Sequence, residues 1–389
     1  MKSIGDFLIK FGTITFALFV PYSISAIGIS IALVFLGFVF LCIADKRLIL
    51  PNNDCSKQIL YIMILFLFIM IISILFSYDL NSSIKRTTTV AGYFVLFLVL
   101  SIIEDKKFVR SLLFIFIFSC SIHAFYAVIQ YFTGVDIMHK GYKKFERVYG
   151  VVGHFNSLAG ILGLVFPVVF TFSYFLKQKR LLNTVVNLLI LAATILTFTR
   201  GVWIGIFFSL MVIGLLSDKR IFIFLLIFIT LLVSMPKSRY RILKTFKFSQ
   251  SENVRKEFLI LTPKLILKRF IIGYGPDSFK KVFYEKYPNF VEKGHFHPHN
   301  MYLHVLFELG IVGLLCFLYM FYLIIKGLLN LYFLNNELFE KYLILGCIGS
   351  LVVFLVYGLV DEPFRAHFAP YVLFFLLSIS YRLGVLEQK

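Results

Sequence analysis

Apolar residues run through this chain in long unbroken blocks rather than at the alternating rhythm of strands. Blocks long enough to cross a bilayer fall at residues 6–22, 25–43, 58–76, 88–103, 108–132, 154–176, 181–198, 201–216, 220–235, 300–325, 341–360 and 366–383. They predict an all-α integral membrane protein of about twelve helices. Helices are implied rather than a barrel, because a barrel strand needs a period of two. Pro21-Tyr22-Ser23 predicts a tight turn between the first two. The spans form one membrane domain, with helices 1–9 in residues 1–235 and helices 10–12 in 300–389. Between them lies one large polar loop, 236–299.

Short-loop charge sets orientation. With the N-terminus in the cytoplasm, the inside loops hold Lys46, Arg47 and Lys57; Lys106, Lys107 and Arg110; Lys177, Lys179 and Arg180; Lys219 and Arg220; Lys326 and Lys341; and Arg382 with Lys389. An even number of spans returns the C-terminus inside. Two outside loops break the bias. Residues 134–153 carry His139, Lys140, Lys143, Lys144 and Arg147 against Asp136 and Glu146. Residues 236–299 carry fourteen Lys and Arg against five Asp and Glu. Long loops translocate regardless of charge. These cations suit anionic headgroups or an anionic lipid substrate equally well.

Composition agrees: 60% of the 389 residues are hydrophobic and 15% charged, with a net charge of +19. In a membrane protein that excess points to loop topology and anionic lipids rather than nucleic acid. Cys42, Cys55, Cys120, Cys316 and Cys347 have no disulfide or zinc spacing. Residues 1–44 are not expected to be a cleaved signal peptide, since they lack a small-x-small cleavage site and further spans follow.

Within the large loop, Ser251–Phe270 predicts one or two short amphipathic helices broken near Pro263, with Leu259, Ile260, Leu261, Leu265, Ile266 and Leu267 set among Lys256, Lys264, Lys268 and Arg269. This pattern suits the membrane interface. Pro276-Asp277-Ser278 predicts a helix start capped by Asp277. A Gly273-Tyr274-Gly275 turn brings backbone close to something.

Candidate chemistry gathers on the outer side. Arg200 follows Thr199 and precedes Gly201, where a helix end meets the surface; such an arginine often only snorkels. Arg255 begins the amphipathic helix. His295, His297 and His299 stand at alternate positions, and Asn300 opens the tenth span. Metal binding by these histidines would need carboxylate help, for which Glu292 and Glu308 are the neighbours, but no recognised pattern appears. Glu308 is an ionisable group inside a span and so a functional candidate. Gly153-His154-Phe155-Asn156-Ser157 suggests a helix cap. Asp361-Glu362 at the last outer turn could be solvated, answer the arginines or orient a histidine. No P-loop, GxSxG, HExxH or Rossmann fingerprint is present.

Three motifs together resemble the O-antigen ligase and polymerase superfamily, the Wzy-type membrane glycosyltransferases. His299-Asn300 followed after nine residues by Gly310-Ile311-Val312-Gly313 is similar to the ligase pattern. Arg255 precedes Gly273 by eighteen residues, as an arginine precedes the family's Gly-x-Gly. Thr199-Arg200-Gly201 resembles the family's Ser-Arg-Gly turn. Phe258 departs from the Trp that many members carry near that arginine.

The resemblance implies a GT-C-like architecture in a bacterial inner membrane, with the site facing the periplasm. It implies a donor glycan on undecaprenyl diphosphate, a lipid A-core sugar hydroxyl as acceptor, inversion, and neither metal nor cofactor. Arginine suits a diphosphate, and histidine suits a base near neutral pH. Arg200 and Arg255 are therefore expected to hold the diphosphate and His299 to be the catalytic base. Asn300, His297, Arg269, Gly273, Gly275, Glu308, Gly310, Gly313 and Asp361 are supporting candidates. A polymerase joining two lipid-linked repeats is the alternative within the family. A transporter or flippase is the alternative outside it, and would predict midplane polar residues and an internal repeat.

Overall fold

A computed structural model describes residues 1–138, 141–142, 147–244, 250–288 and 297–386. All twelve apolar blocks are helical. They form α1 (Lys2–Phe19), α2 (Ile24–Ala44), α3 (Asp54–Ile74), α4 (Leu80–Ile102), α5 (Lys106–Thr133), α6 (Phe155–Phe175), α7 (Arg180–Leu196), α8 (Arg200–Leu216) and α9 (Ile221–Ser234). Then come the loop helices α10 (Pro236–Lys244), α11 (Gln250–Ile266) and α12 (Phe279–Lys286), followed by α13 (Met301–Leu334), α14 (Leu338–Tyr357) and α15 (Ala369–Leu386). Among the described residues the only strands are β1 (Val135–Asp136) and β2 (Gly141–Tyr142), a two-residue antiparallel pair.

Seven helices, α2 to α6, α13 and α14, are long and apolar enough to cross a membrane, and α9 with α10 makes an eighth if that bent pair is one span. Helices α7, α8 and α15 are apolar but shorter. The chain is a multi-pass membrane protein. Side chains of α6 are buried almost all round, whereas α2, α3 and α9 show Phe, Leu and Ile outward, as lipid-facing helices do.

Helix starts follow from local chemistry. Ser23, Asn53, Asp79, Asp105 and Asn300 each accept a backbone N–H three residues on. Such caps satisfy amides that have no helical partner.

Four details of the large-loop region depart from expectation. Helix α10 was not anticipated; it begins at Pro236, whose missing N–H suits a first turn, and bends 89° from α9. Helix α11 runs through Pro263 as one piece and ends in a 3-10 turn, Leu267–Arg269. A proline removes one hydrogen bond, and burial of Phe258, Leu265 and Ile266 against Phe279, Phe283 and Phe307 outweighs that loss. Asp277 does not cap α12, whose N-cap is Ser278; its carboxylate pairs with Arg365 Nη2 at 2.7 Å instead.

The fourth departure is α13, expected as one helix over 300–325. It continues to Leu334 and is broken at Gly310, where φ is 65° and ψ −169°. The Gly-x-Gly turn lies along this break. Tyr274 N donates to Phe307 O at 3.1 Å, Gly275 N to Glu308 O at 2.9 Å, and Ile311 N to Phe270 O at 2.8 Å. Carbonyls released by the break thus recover partners from the loop.

Candidate functional site

The turn that leaves α14, Tyr357 to Arg365, is the hub of the site. Asp361 N closes it onto Tyr357 O at 3.0 Å. The start of α13 is clipped to the same turn: Met301 N donates to Gly358 O at 2.8 Å, and Asn300 Nδ2 to Leu359 O at 3.0 Å. Asn300 also caps α13 through Leu303 N at 2.9 Å. His299, the residue before this clip, has φ of 53°. Non-glycine residues rarely adopt that conformation, and strained positions persist where surrounding contacts over-determine them.

His299 presents Nδ1 to Asp361 Oδ1 at 3.6 Å. Asp361 Oδ2 accepts from Asn156 Nδ2 at 2.8 Å and from the Tyr357 hydroxyl at 2.7 Å, and Oδ1 accepts from Glu362 N at 3.0 Å. Burial pushes the Asp361 carboxyl up, but the partners His299 and Tyr357 and the nearby charge of His297 outweigh it and hold it below its ordinary value. Asp361 is therefore a carboxylate facing one ring nitrogen of His299, an arrangement that aims the other nitrogen.

His297 lies beside His299, ring centroids 4.3 Å apart and planes tilted by 60°, and faces Glu362 Oε1 at 3.5 Å. The pair Asp361-Glu362, left open by the sequence, thus orients histidines. Glu362 continues inward. His304 lies between Glu362 Oε2 at 2.7 Å and Glu308 Oε1 at 2.6 Å. Both its ring nitrogens meet carboxylate oxygens, which can only accept when ionised. Glu308 Oε1 also accepts from Asp277 N at 2.7 Å, which ties this buried line to the Gly-x-Gly loop. Arg86 donates to Phe364 O at 2.8 Å and, with His304, Glu308, Glu362 and Arg365, lines a cavity of about 20 Å³, room for roughly one water.

Arg200 opens α8 and donates Nη1 to Arg241 O at 3.2 Å, while Arg241 Nη1 donates to Phe198 O at 2.9 Å. The next residue, Gly201, lies so close to Tyr357 and Val360 that a Cβ would stand 2.7 Å from each. The residue after Arg200 and His299 therefore both pack against one short turn. Arg147 reinforces the arginine side: its Nε donates to Thr197 O at 2.8 Å and its Nη2 to Thr199 Oγ1 at 3.0 Å. His154 joins the cluster; burial and the charges of Arg147 and His297 lower its affinity for a proton, against the pull of Asp361.

The structure brings His297, His299, Asn300, Asp361 and the Arg200 turn together. Arg269 is engaged elsewhere: it donates to Phe76 O at 2.9 Å and lies over Tyr78 and Tyr274. Gly273, Gly275 and Gly310 serve backbone approach, and Gly313 leaves room for Leu309 after the break. Arg255 falls in α11, and its side chain lies outside the described residues, as do His295 and Glu292. Sequence reasoning missed Arg147, Asn156 and Tyr357 as site residues. Asn156 stood out only as an apparent cap, and a Tyr four residues before an Asp on a helix end is a weak signal.

One three-residue group, His297, His299 and Asp361, places its ligand atoms within 4.8 Å of one another. Tetrahedral ligands at about 2.0–2.1 Å from zinc sit roughly 3.4 Å apart. Among the described residues these three are close enough to hold a metal ion, while the Asp361 oxygens already accept three protein donors.

Residues 185–318 match the family model described as O-antigen ligase, about a third of the chain. No curated protein matches the chain.

Proposed function

We propose that this chain, which matches the O-antigen ligase family model over residues 185–318, transfers a glycan from undecaprenyl diphosphate to a sugar hydroxyl of lipid A-core. The site faces the periplasm from a bacterial inner membrane, with both termini cytoplasmic. The observation that carries this reading is His299 paired with Asp361 on a turn against which Gly201, the residue after Arg200, is packed. The backbone that carries the proposed base and the backbone that carries the proposed phosphate-binding cation then meet at one turn.

In this mechanism the acceptor hydroxyl gives its proton to Nε2 of His299, whose Nδ1 faces Asp361. The acceptor oxygen bonds to the anomeric carbon as the bond to the diphosphate oxygen breaks on the opposite face, which inverts the linkage. Undecaprenyl diphosphate departs with the electron pair. Arg200 and Arg255 stabilise its growing charge, the role for which fixed bidentate cations suit best. Asp361 stabilises the imidazolium until its proton is released to solvent.

A reconstituted assay tests this. Purified protein is mixed with undecaprenyl-diphosphate glycan and lipid A-core, comparing wild type with His299→Ala. Transfer to the core by wild type alone is expected. Longer lipid-linked chains with the core untouched would make the protein a polymerase, and absence of any donor turnover would overturn glycosyl transfer altogether.

A further inference from the structure

Asn156 is the second residue of α6, behind the N-cap His154. An asparagine there commonly bonds nearby backbone, but this side chain reaches across the bundle. Its Nδ2 donates to Asp361 Oδ2 at 2.8 Å. Its Oδ1 accepts from Thr199 Oγ1 at 3.2 Å and from Arg147 Nη2 at 3.4 Å. These partners set the amide orientation, because a carboxylate only accepts and a guanidinium only donates. One side chain thus joins the segment before α6, the Arg200 turn and the turn after α14.

We propose that Asn156 is a positioning residue for glycosyl transfer: it holds Asp361 in the plane that aims His299 and keeps that pair in register with the Arg200 turn. The proposal rests on the functional reading above. Every group facing Asp361 contributes to its orientation. Tyr357 donates to the same oxygen as Asn156, while Glu362 N and His299 occupy the other. His154, His297 and Arg147 lie nearby as titratable or charged neighbours. Asn156 makes a hydrogen bond to both Asp361 and Thr199. Thr199 in turn precedes Arg200, and Arg147 pins the turn through Thr197 O. Loss of the amide leaves Asp361 Oδ2 without its Asn156 donor and removes the link between the two turns. Misplacement of a catalytic group by about 1 Å costs roughly a hundredfold in rate.

The test compares full-length wild type, Asn156→Ala and Asn156→Asp in the reconstituted assay. Aspartate has the same shape and still accepts from Arg147 and Thr199, but it meets Asp361 with an acceptor in place of a donor. Both variants are expected to lose kcat by about tenfold to a hundredfold, with donor KM changed less than about threefold. The acid limb of the kcat/KM profile should move up by about one pH unit, because a carboxylate without its donor, or beside a second carboxylate, holds the His299 proton more tightly. Aspartate should be at least as damaging as alanine. A ¹⁵N-histidine NMR titration of His299 reads the same shift without turnover. Wild-type kcat and pH profile in Asn156→Asp would overturn the proposal, and so would an activity loss that comes with an unmoved His299 titration. An inactive wild type whose His299 titration still shifts in Asn156→Asp would sink the ligase reading and leave the orienting role of Asn156 standing.

Discussion

Gly275 donates its amide to the carbonyl of Glu308 across 2.9 Å. That bond joins the two glycine motifs of the chain and shows what each is for. The Gly-x-Gly turn supplies donors along the break that Gly310 makes in α13, and the half-helix before the break carries His304 and Glu308 back toward the site.

The close approach makes Gly310 intolerant of a side chain. Its φ and ψ are those that only glycine adopts readily, and an added Cβ would collide with the Ile271 carbonyl. Gly310→Ala should destabilise the fold by roughly 2–4 kcal/mol. Thermal melts of the detergent-purified protein check this, and an unchanged midpoint would contradict the backbone contact.

Glu308 accepts from both Asp277 N and His304 inside the protein. Removing the charge strands His304 beside Glu362 alone. Glu308→Ala should cost about 3 kcal/mol, the usual effect of breaking a buried pair by taking away one partner. Denaturant or thermal unfolding reads the loss.

Acid should weaken the site before it weakens the bundle. Asp361 and Glu362 are both held below their ordinary values; in each, burial pushes up and the neighbouring histidines outweigh it. A depressed carboxylate contributes stability that is fully present above its unfolded value and is lost as pH falls through its folded value. The window therefore opens below about pH 4.5, the ordinary value for Glu362. Melting temperature should fall below that pH in wild type, and the slope should be shallower in Glu362→Gln.

Exposure to one side of the membrane is open to direct labelling. Lys286 on α12 and Arg47 after α2 are both exposed. In a cysteine-free background, Lys286→Cys should react with an impermeant maleimide in spheroplasts. Arg47→Cys should react only after permeabilisation. The reverse pattern would invert the proposed orientation.

Transfer should also survive a chelator. The resemblance to the O-antigen ligases implies a metal-free reaction, even though the His297, His299 and Asp361 atoms lie within 4.8 Å of one another. EDTA at millimolar concentration should leave the rate unchanged, and loss of activity restored by a divalent cation would show that the group closes on a metal.

Much of the architecture was legible in the chain. Each of the twelve apolar blocks is a helix, because a segment in lipid must satisfy its own backbone and only a helix does so locally. Capping residues such as Asn300 marked a helix end by a bond three residues away. The loop helices were less legible. The course of α11 through Pro263 depends on Phe258 meeting Phe279 and Phe283, contacts that no local pattern encodes.

By itself the sequence determined that this is a helical membrane protein, and it picked out His299 and Arg200 as chemically suited residues on one side of the chain. Only the tertiary structure decided that His299 and the residue after Arg200 meet one turn, that Asp361 faces His299 and that Asn156 links Asp361 to Thr199. Both Asn156 and Asp361 lie outside the segment matched by the family model. Helix formation and capping are settled within a few residues, so periodicity records them. A site assembled from the ends of α6, α7, α8, α13 and α14 depends on how those helices pack, and an asparagine reads alike whether it caps a helix or holds a carboxylate from another turn.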